Sequence, residues 1–448
     1  MRSFSGKRWW LATLALGVVA LAACGVDQYP NTTFAPHSEF GREIDHIWNI
    51  LLYLGIAVFI LVESLLVYTI IRYRHRDGGP EPEHVHGNTA LEITWTAIPA
   101  VILALIAVPT VKTIFSTQAK AEASALQVEV YGHQWWWEFR YPQYNVVTAN
   151  ELYLPNGRKV NFALRTVDVL HSFWIPQLGG KRDVISNHTN YLWFTPDSNL
   201  GEQAWNGTCN EYCGSSHAEM RFRVFTVPPA DFESWARHQA GAAVYPVANN
   251  TAPSATAPGA PATPAKTSDA SGSGSTAGSM VRPVAEVHGQ PTQPAAVQAT
   301  SAMQATADTG YVFPKDKLPP NFTPETPLPT EETFDMSLKG DPVAGFKTYS
   351  SQACIGCHTV KGNPASVGIV GPNLTHVGSR YTIAAALYPN DTQHLRYWVK
   401  NTHMDKPDVL MPVLGKGQMD PQTGHVSPLG TLTDQQIADI VAYLQELK

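Results

Sequence analysis

The sequence predicts a multidomain chain: a hairpin of two transmembrane helices, an all-β sandwich, a disordered linker and a small all-α domain. Three observations carry this. Residues 47–71 and 91–114 are almost wholly apolar and each is long enough to cross a bilayer, which takes about 20 residues. Short runs of alternating apolar residues then recur between 126 and 227, separated by turn residues, the pattern of a sandwich or barrel. Beyond residue 239 the composition shifts to Ala, Pro, Ser, Thr and Gly, and a Cys-x-x-Cys-His motif follows it.

Length and charge bound the function. The chain has 448 residues, with 31 Lys and Arg against 37 Asp and Glu. That length suits two or three domains, and the mild acidic excess without a long basic run excludes nucleic acid as a partner.

Residues 1–23 read as a signal segment. Arg2, Lys7 and Arg8 precede an apolar stretch, and Leu21-Ala22-Ala23 precedes Cys24. This resembles the bacterial lipobox, which implies cleavage before Cys24 and a lipid anchor there. Residues 24–118 hold the hairpin. The first span ends in Arg72, Arg74 and Arg76, a basic cluster that stays cytoplasmic. The second carries Pro99 and Pro109, which membrane helices tolerate. Both ends of the hairpin, and everything after it, are therefore expected on the outer face of the cell membrane. Glu63 lies inside the first span, where a carboxylate is costly and faces protein. Glu92 opens the second span, a place the helix dipole favours for an acid.

Residues 119–238 form the β domain. Expected strands include 127–131, 160–164, 183–185, 191–194 and 221–227. The segment Gly132-His-Gln-Trp135-Trp136-Trp137 is unusually aromatic. Its chemistry sits in Cys209-Asn-Glu-Tyr-Cys213-Gly-Ser-Ser-His217-Ala-Glu-Met220. Soft sulfur with imidazole selects copper, zinc or iron–sulfur, and a weak thioether points to copper tuned for electron transfer. His171, at the end of a β-branched alternating run, supplies a second imidazole. Asp168, three residues earlier, is either a hydrogen-bond partner of that histidine or a surface acid.

Residues 239–334 are expected to be a linker; from Trp235 through about Thr309 the chain lacks the apolar content to bury a core and is expected to be disordered or extended. As a flexible coil of about 90 residues it would span about 50 Å. Residues 335–448 are expected to be helical. Cys354-Ile-Gly-Cys357-His358 is a covalent c-type haem site, with His358 as an iron ligand. Asp341 caps a helix leading into it, and 432–444 has apolar residues at helical spacing behind Thr433 or Asp434. Met404, Met411 and Met419 all lie where a distal ligand is needed. All five cysteines fall in chemical motifs, so none is left for a structural disulfide.

The segments around His171 and Cys209 resemble the binuclear copper (CuA) domain of cytochrome c oxidase subunit II, a cupredoxin. The resemblance implies that Cys209 and Cys213 bridge two coppers, with His171, His217 and Met220 as terminal ligands and the Glu211 carbonyl completing the set. It further implies a magnesium ion shared with the catalytic subunit through the Glu211 side chain. Trp135 would be the electron-entry residue and Glu92 the mouth of a proton-uptake path. Residues 335–448 resemble a class I cytochrome c, with Cys354, Cys357, His358 and Met411 holding haem c. The expected partners are subunits I and III of a haem-copper oxidase and an external electron donor such as a cytochrome c. Oxygen reduction and proton pumping would occur in subunit I. A nitric oxide reductase subunit and a free-standing tethered carrier are the alternatives; a quinol oxidase subunit is opposed by the intact copper ligand set.

Overall fold

The structure, a computed structural model of the chain, describes residues 31–75, 86–245, 310–320 and 334–448, with Gly17, Gly78, Phe322 and 326–329. Apart from Gly17, the signal segment lies outside the described residues, as do Cys24 and residues 246–309 of the expected linker.

Two long helices come first, α1 (Glu39–Arg72) and α2 (Thr89–Gln118). Ser38 caps α1 by accepting from the Gly41 amide, and Asn88 caps α2 by accepting from Leu91, which satisfies amides that have no partner inside the helix. Both helices are apolar and long enough to cross a membrane. They run past the expected spans 47–71 and 91–114 because their outer ends dock on the β domain. Phe40 packs edge-on against Trp193 at 5.7 Å, Arg42 pairs with Asp197 at 2.7 Å, and Arg182 donates to the Thr117 carbonyl at 3.1 Å.

The β domain is a sandwich of two five-stranded sheets. The first sheet holds β1 (Leu126–His133), β2 (Trp136–Tyr141), β3 (Val146–Ala149), β5 (Val160–Thr166) and β8 (Asn190–Phe194), in the order β3-β2-β1-β5-β8. The second holds β4 (Glu151–Pro155), β6 (His171–Trp174), β7 (Arg182–Val184), β9 (Gln203–Cys209) and β10 (Arg221–Val227), in the order β4-β10-β9-β6-β7. Alternation along β1 buries Leu126, Val128 and Val130. The inner faces meet in an aromatic core, where Phe173 stacks on Phe222 at 4.9 Å and Trp137 meets Phe173 edge-on at 5.5 Å. Helix α3 (Pro229–Gln239) closes the domain, and its Trp235 stacks on Tyr153 at 4.4 Å.

Two expectations need correction. His171 does not end a strand; it begins β6, because residues 167–170 form a turn built on the Asp168 and Thr166 side chains. The expected linker, 239–334, is packed at both ends. Ala243 and Tyr245 are buried in the C-terminal core, whereas Phe313 and Phe322 are buried in the β-domain core. Aromatic rings bury enough apolar area to offset the ordering of a few residues around them.

The C-terminal domain is built on α4 (Pro342–Ser351), α5 (Cys354–Cys357), α6 (Thr392–Lys400) and α7 (Asp434–Glu446). Asp341 caps α4 and Thr433 caps α7 through a reciprocal box with Gln436. Helices α4 and α7 cross through rings: Tyr443 lies 5.6 Å from Phe346 and 5.4 Å from Tyr349. Two ribbons punctuate the helices, β11 (Thr382–Ile383) with β12 (Tyr388–Pro389), and β13 (Met419–Asp420) with β14 (His425–Val426). The second accounts for the long stretch between Met411 and α7.

Candidate metal centre and haem attachment site

Strand pairing brings the metal-binding side chains together. Phe173 of β6 is opposite Cys209 of β9, and the loop from Cys209 returns into β10 at Met220. The loop is pinned at both ends by backbone hydrogen bonds, Asn210 N to Ser172 O at 2.9 Å and Cys209 N to Met220 O at 3.0 Å. His171 thereby faces the loop from the neighbouring strand.

All six candidate ligand groups converge. The two cysteine sulfurs lie 3.8 Å apart and are not bonded to each other. Cys209 Sγ is 3.8 Å from His171 Nδ1 and 3.4 Å from the Glu211 carbonyl. Cys213 Sγ is 3.5 Å from His217 Nδ1 and 3.8 Å from Met220 Sδ. His171, Cys209, Cys213 and Met220 are buried. The donor set is two thiols, two imidazoles, a thioether and a carbonyl, which is soft enough for copper.

The electrostatics favour a thiolate. A hydrogen bond from Cys213 holds Cys209 down at about 4 against the opposing effect of burial, with His171 and two backbone groups helping. The same contact pushes Cys213 up. The pair gives up its first proton readily and its second reluctantly, as coupled sites do, so a metal is needed to displace the second.

The surrounding residues fix the ligands. Asp168 Oδ1 lies 2.8 Å from His171 Nε2, which leaves Nδ1 for the sulfur side. This resolves the two readings of Asp168: it is the histidine's partner. Burial raises the Asp168 pKa, but the His171 hydrogen bond and the Gln134 amide hold it below the usual carboxylate value. Trp135 is buried, and its indole N–H donates to the Cys213 carbonyl at 3.0 Å, beside the Gln134 side-chain amide at 2.8 Å. A Cβ on Gly132 would lie 2.6 Å from the His171 ring, so that ring fits only over a glycine. Sequence reasoning missed Gly132 and Gln134, although both sit in the aromatic segment it singled out.

In the C-terminal domain His358 donates from Nδ1 to the Pro372 carbonyl, 2.8 Å away. The carbonyl selects the Nδ1–H tautomer and leaves Nε2 as the lone-pair donor for iron. Burial lowers the His358 pKa, keeping it neutral. A Cβ on Gly371 would lie 2.6 Å from the His358 ring, so that ring too fits only over a glycine. Cys354 and Cys357 are free thiols on α5, and burial raises Cys354 to about 11. These residues fit a covalent haem. Met411 lies on a loop braced by Thr402, which donates to the Met411 carbonyl at 2.8 Å, and by His403, 3.0 Å from the Val409 carbonyl. Met419 is exposed on the β13–β14 ribbon and Met404 lies in the turn Thr402–Met404. Glu92 lies in the first turn of α2, and Glu63 faces outward from α1.

Comparison with known proteins matches this architecture segment by segment. Residues 35–113 match the family described as cytochrome C oxidase subunit II, transmembrane domain, and 145–227 match its periplasmic domain. Residues 342–448 match cytochrome c. Cytochrome c oxidase subunit 2 of Alkalihalophilus pseudofirmus is 27% identical over 397 residues, 87% of this chain and 83% of that protein. The Bacillus subtilis protein of the same name is 33% identical, covering 51% of this chain and 68% of that one. A probable cytochrome c oxidase subunit 2 of Rickettsia bellii is 31% identical, covering 45% and 80%. The cytochrome c domain implies haem, the subunit II domains imply copper, and the two apolar helices with a periplasmic domain make this a membrane protein with an outer-face domain. The chain belongs to the cytochrome c oxidase subunit 2 family, a subunit of a haem-copper oxidase complex, and carries a cytochrome c domain over residues 342–448.

Proposed function

We propose that this chain receives electrons from an external donor and delivers them, through a c-type haem and a dinuclear copper centre, to subunit I of a proton-pumping cytochrome c oxidase. One observation carries the reading: six donor groups, including both cysteine sulfurs 3.8 Å apart, face one small volume. Bound copper and haem supply reversible one-electron storage.

The chain's own residues do the rest. Cys209 and Cys213 would hold both metals, with His171, His217, Met220 and the Glu211 carbonyl as the remaining ligands. Ligands held on β6, at the end of β9 and in the loop pinned between β9 and β10 would move little between redox states. Asp168 orients His171, and Trp135 and Gln134 tie down the Cys213 carbonyl from above. Cys354 and Cys357 would bond the haem covalently and His358 and Met411 would hold its iron, a pairing that would raise the reduction potential. Val367 and Ile369, exposed at 71% and 79%, form an apolar rim beside that motif where the donor would meet the chain. Glu211 would reach a magnesium ion shared with subunit I, Glu92 would open a proton path into it, and subunit III would complete the complex. A lipid on Cys24 would add an anchor in the inner membrane.

Metal analysis and electron paramagnetic resonance of the purified complex test this. A mixed-valence copper pair and covalent haem are expected. A one-copper signal, or no copper, would refute the reading.

A further inference from the structure

We propose that Lys406 is the pin that docks the haem domain onto the copper loop; it is a positioning residue, neither a ligand nor an electron carrier. The proposal rests on the assignment of the two sites above. Lys406 is 2% exposed. Its ammonium donates to the carbonyls of Trp135 at 2.6 Å, Glu219 at 3.0 Å and Ala384 at 3.2 Å. Two of those carbonyls belong to the β domain and flank the copper ligands: Trp135 lies over Cys213, and Glu219 immediately precedes Met220. Among the described residues no carboxylate forms an ion pair with it. Burial drives the ammonium's pKa down to about 7. An amine buried at that cost among three backbone carbonyls, with the nearby Glu219 charge favouring its protonated form and Arg221 opposing it, fixes position more than it adds stability.

The neighbouring contacts agree. Ser216, next to the candidate ligand His217, donates to the Pro407 carbonyl at 2.6 Å, and Ser215 donates to the Asp408 carboxylate. Val409 packs on the β-domain core. Residues 406–409 are thus seated on the copper loop, and Met411, the candidate distal haem ligand, follows two residues later. The third carbonyl, Ala384, opens a turn in which Ala384, Ala385 and Ala386 have φ of +55°, +60° and +60°. Side chains adopt that conformation only when surroundings over-determine it, and Lys406 supplies part of that constraint. Trp135, whose carbonyl Lys406 holds, is 4% exposed with the loop seated, so release of the loop is expected to open that side of the copper site.

The test is Lys406→Met in the full complex, with Lys406→Gln as the milder variant that keeps N–H donors. Three carbonyls lose a charged partner, so opening of the 405–411 segment, read by hydrogen exchange, is expected to rise about a hundredfold, and less for Gln. Haem and copper spectra should be unchanged. In stopped-flow reduction the haem phase should keep its rate while the copper phase slows, and a small soluble reductant should now reach copper directly. Unchanged exchange and an unchanged copper phase would overturn the proposal. Loss of either spectrum in both variants would also overturn it, because the lysine would then be building a site and not docking a domain. If the unaltered protein itself lacks a mixed-valence copper signal, the assignment of the site fails, and the exchange data still report whether Lys406 docks the two domains.

Discussion

Glu151 gives the sharpest test of how the two outer domains hold together. It begins β4, is 4% exposed, and takes three hydrogen bonds from the C-terminal domain on one oxygen. Oε1 accepts from the Tyr381 amide at 2.8 Å, the Thr382 amide at 2.9 Å and the Thr382 hydroxyl at 3.3 Å. Burial raises its pKa from 4.5 to about 7, although Arg380 and those three donors pull it back. Between these values the docked state holds a proton that the open state has lost. Docking therefore weakens as pH rises from 4.5 to about 7, and the full displacement corresponds to about 3 kcal/mol. Glu151→Gln keeps an oxygen for all three donors and cannot ionise. Hydrogen exchange at the Tyr381 and Thr382 amides, corrected for intrinsic rate, measures the opening free energy. Between about pH 4 and pH 8 the native protein should lose about 3 kcal/mol of protection there relative to the variant. Parallel pH curves for the two proteins would refute the reasoning, because the carboxylate would then be ionised in the docked state.

Other outcomes follow from the ligand surroundings. Asp168→Asn removes the anion that orients His171, and copper affinity should fall about tenfold or more in a chelator competition. Gly132→Ala places a methyl 2.6 Å from the His171 ring; the ring must move, and the copper resonance signal should broaden or collapse while the far-ultraviolet circular dichroism stays the same. Met411→Leu should leave the haem covalently attached yet lower its reduction potential, seen by optical titration. Replacing Met404 or Met419 in the same way should change neither the spectrum nor the potential.

Legibility in the sequence followed the kind of atom that does the work. Copper and haem chemistry needs sulfur and imidazole, which only side chains provide, so Cys209, Cys213, His217, Met220 and the Cys354–His358 motif stood out in two short stretches. The apolar spans and the strands β1, β5, β8 and β10 showed their periodicity. Strand β9 did not, because Asn206 and Gly207 weaken its pattern, and its pairing with β10 and β6 overrides that local preference. Gly132 was invisible as a site residue because what it contributes is the absence of a side chain beside a histidine ring.

The docking surface was harder to read for the same reason. Asp405-Lys406-Pro407-Asp408 is a polar, proline-containing stretch that reads as an exposed turn. What holds it is mostly backbone: the carbonyls of Trp135, Glu219 and Ala384 accept from Lys406, and one side chain, the Ser216 hydroxyl, donates to the Pro407 carbonyl. Every residue has a carbonyl, so no composition or spacing marks the ones that matter. They become a lysine site only when the fold brings together positions 22, 187 and 271 residues away from it. A ligand loop can therefore be recognised from one segment, whereas the contact that aligns two ligand loops depends on the whole chain being folded.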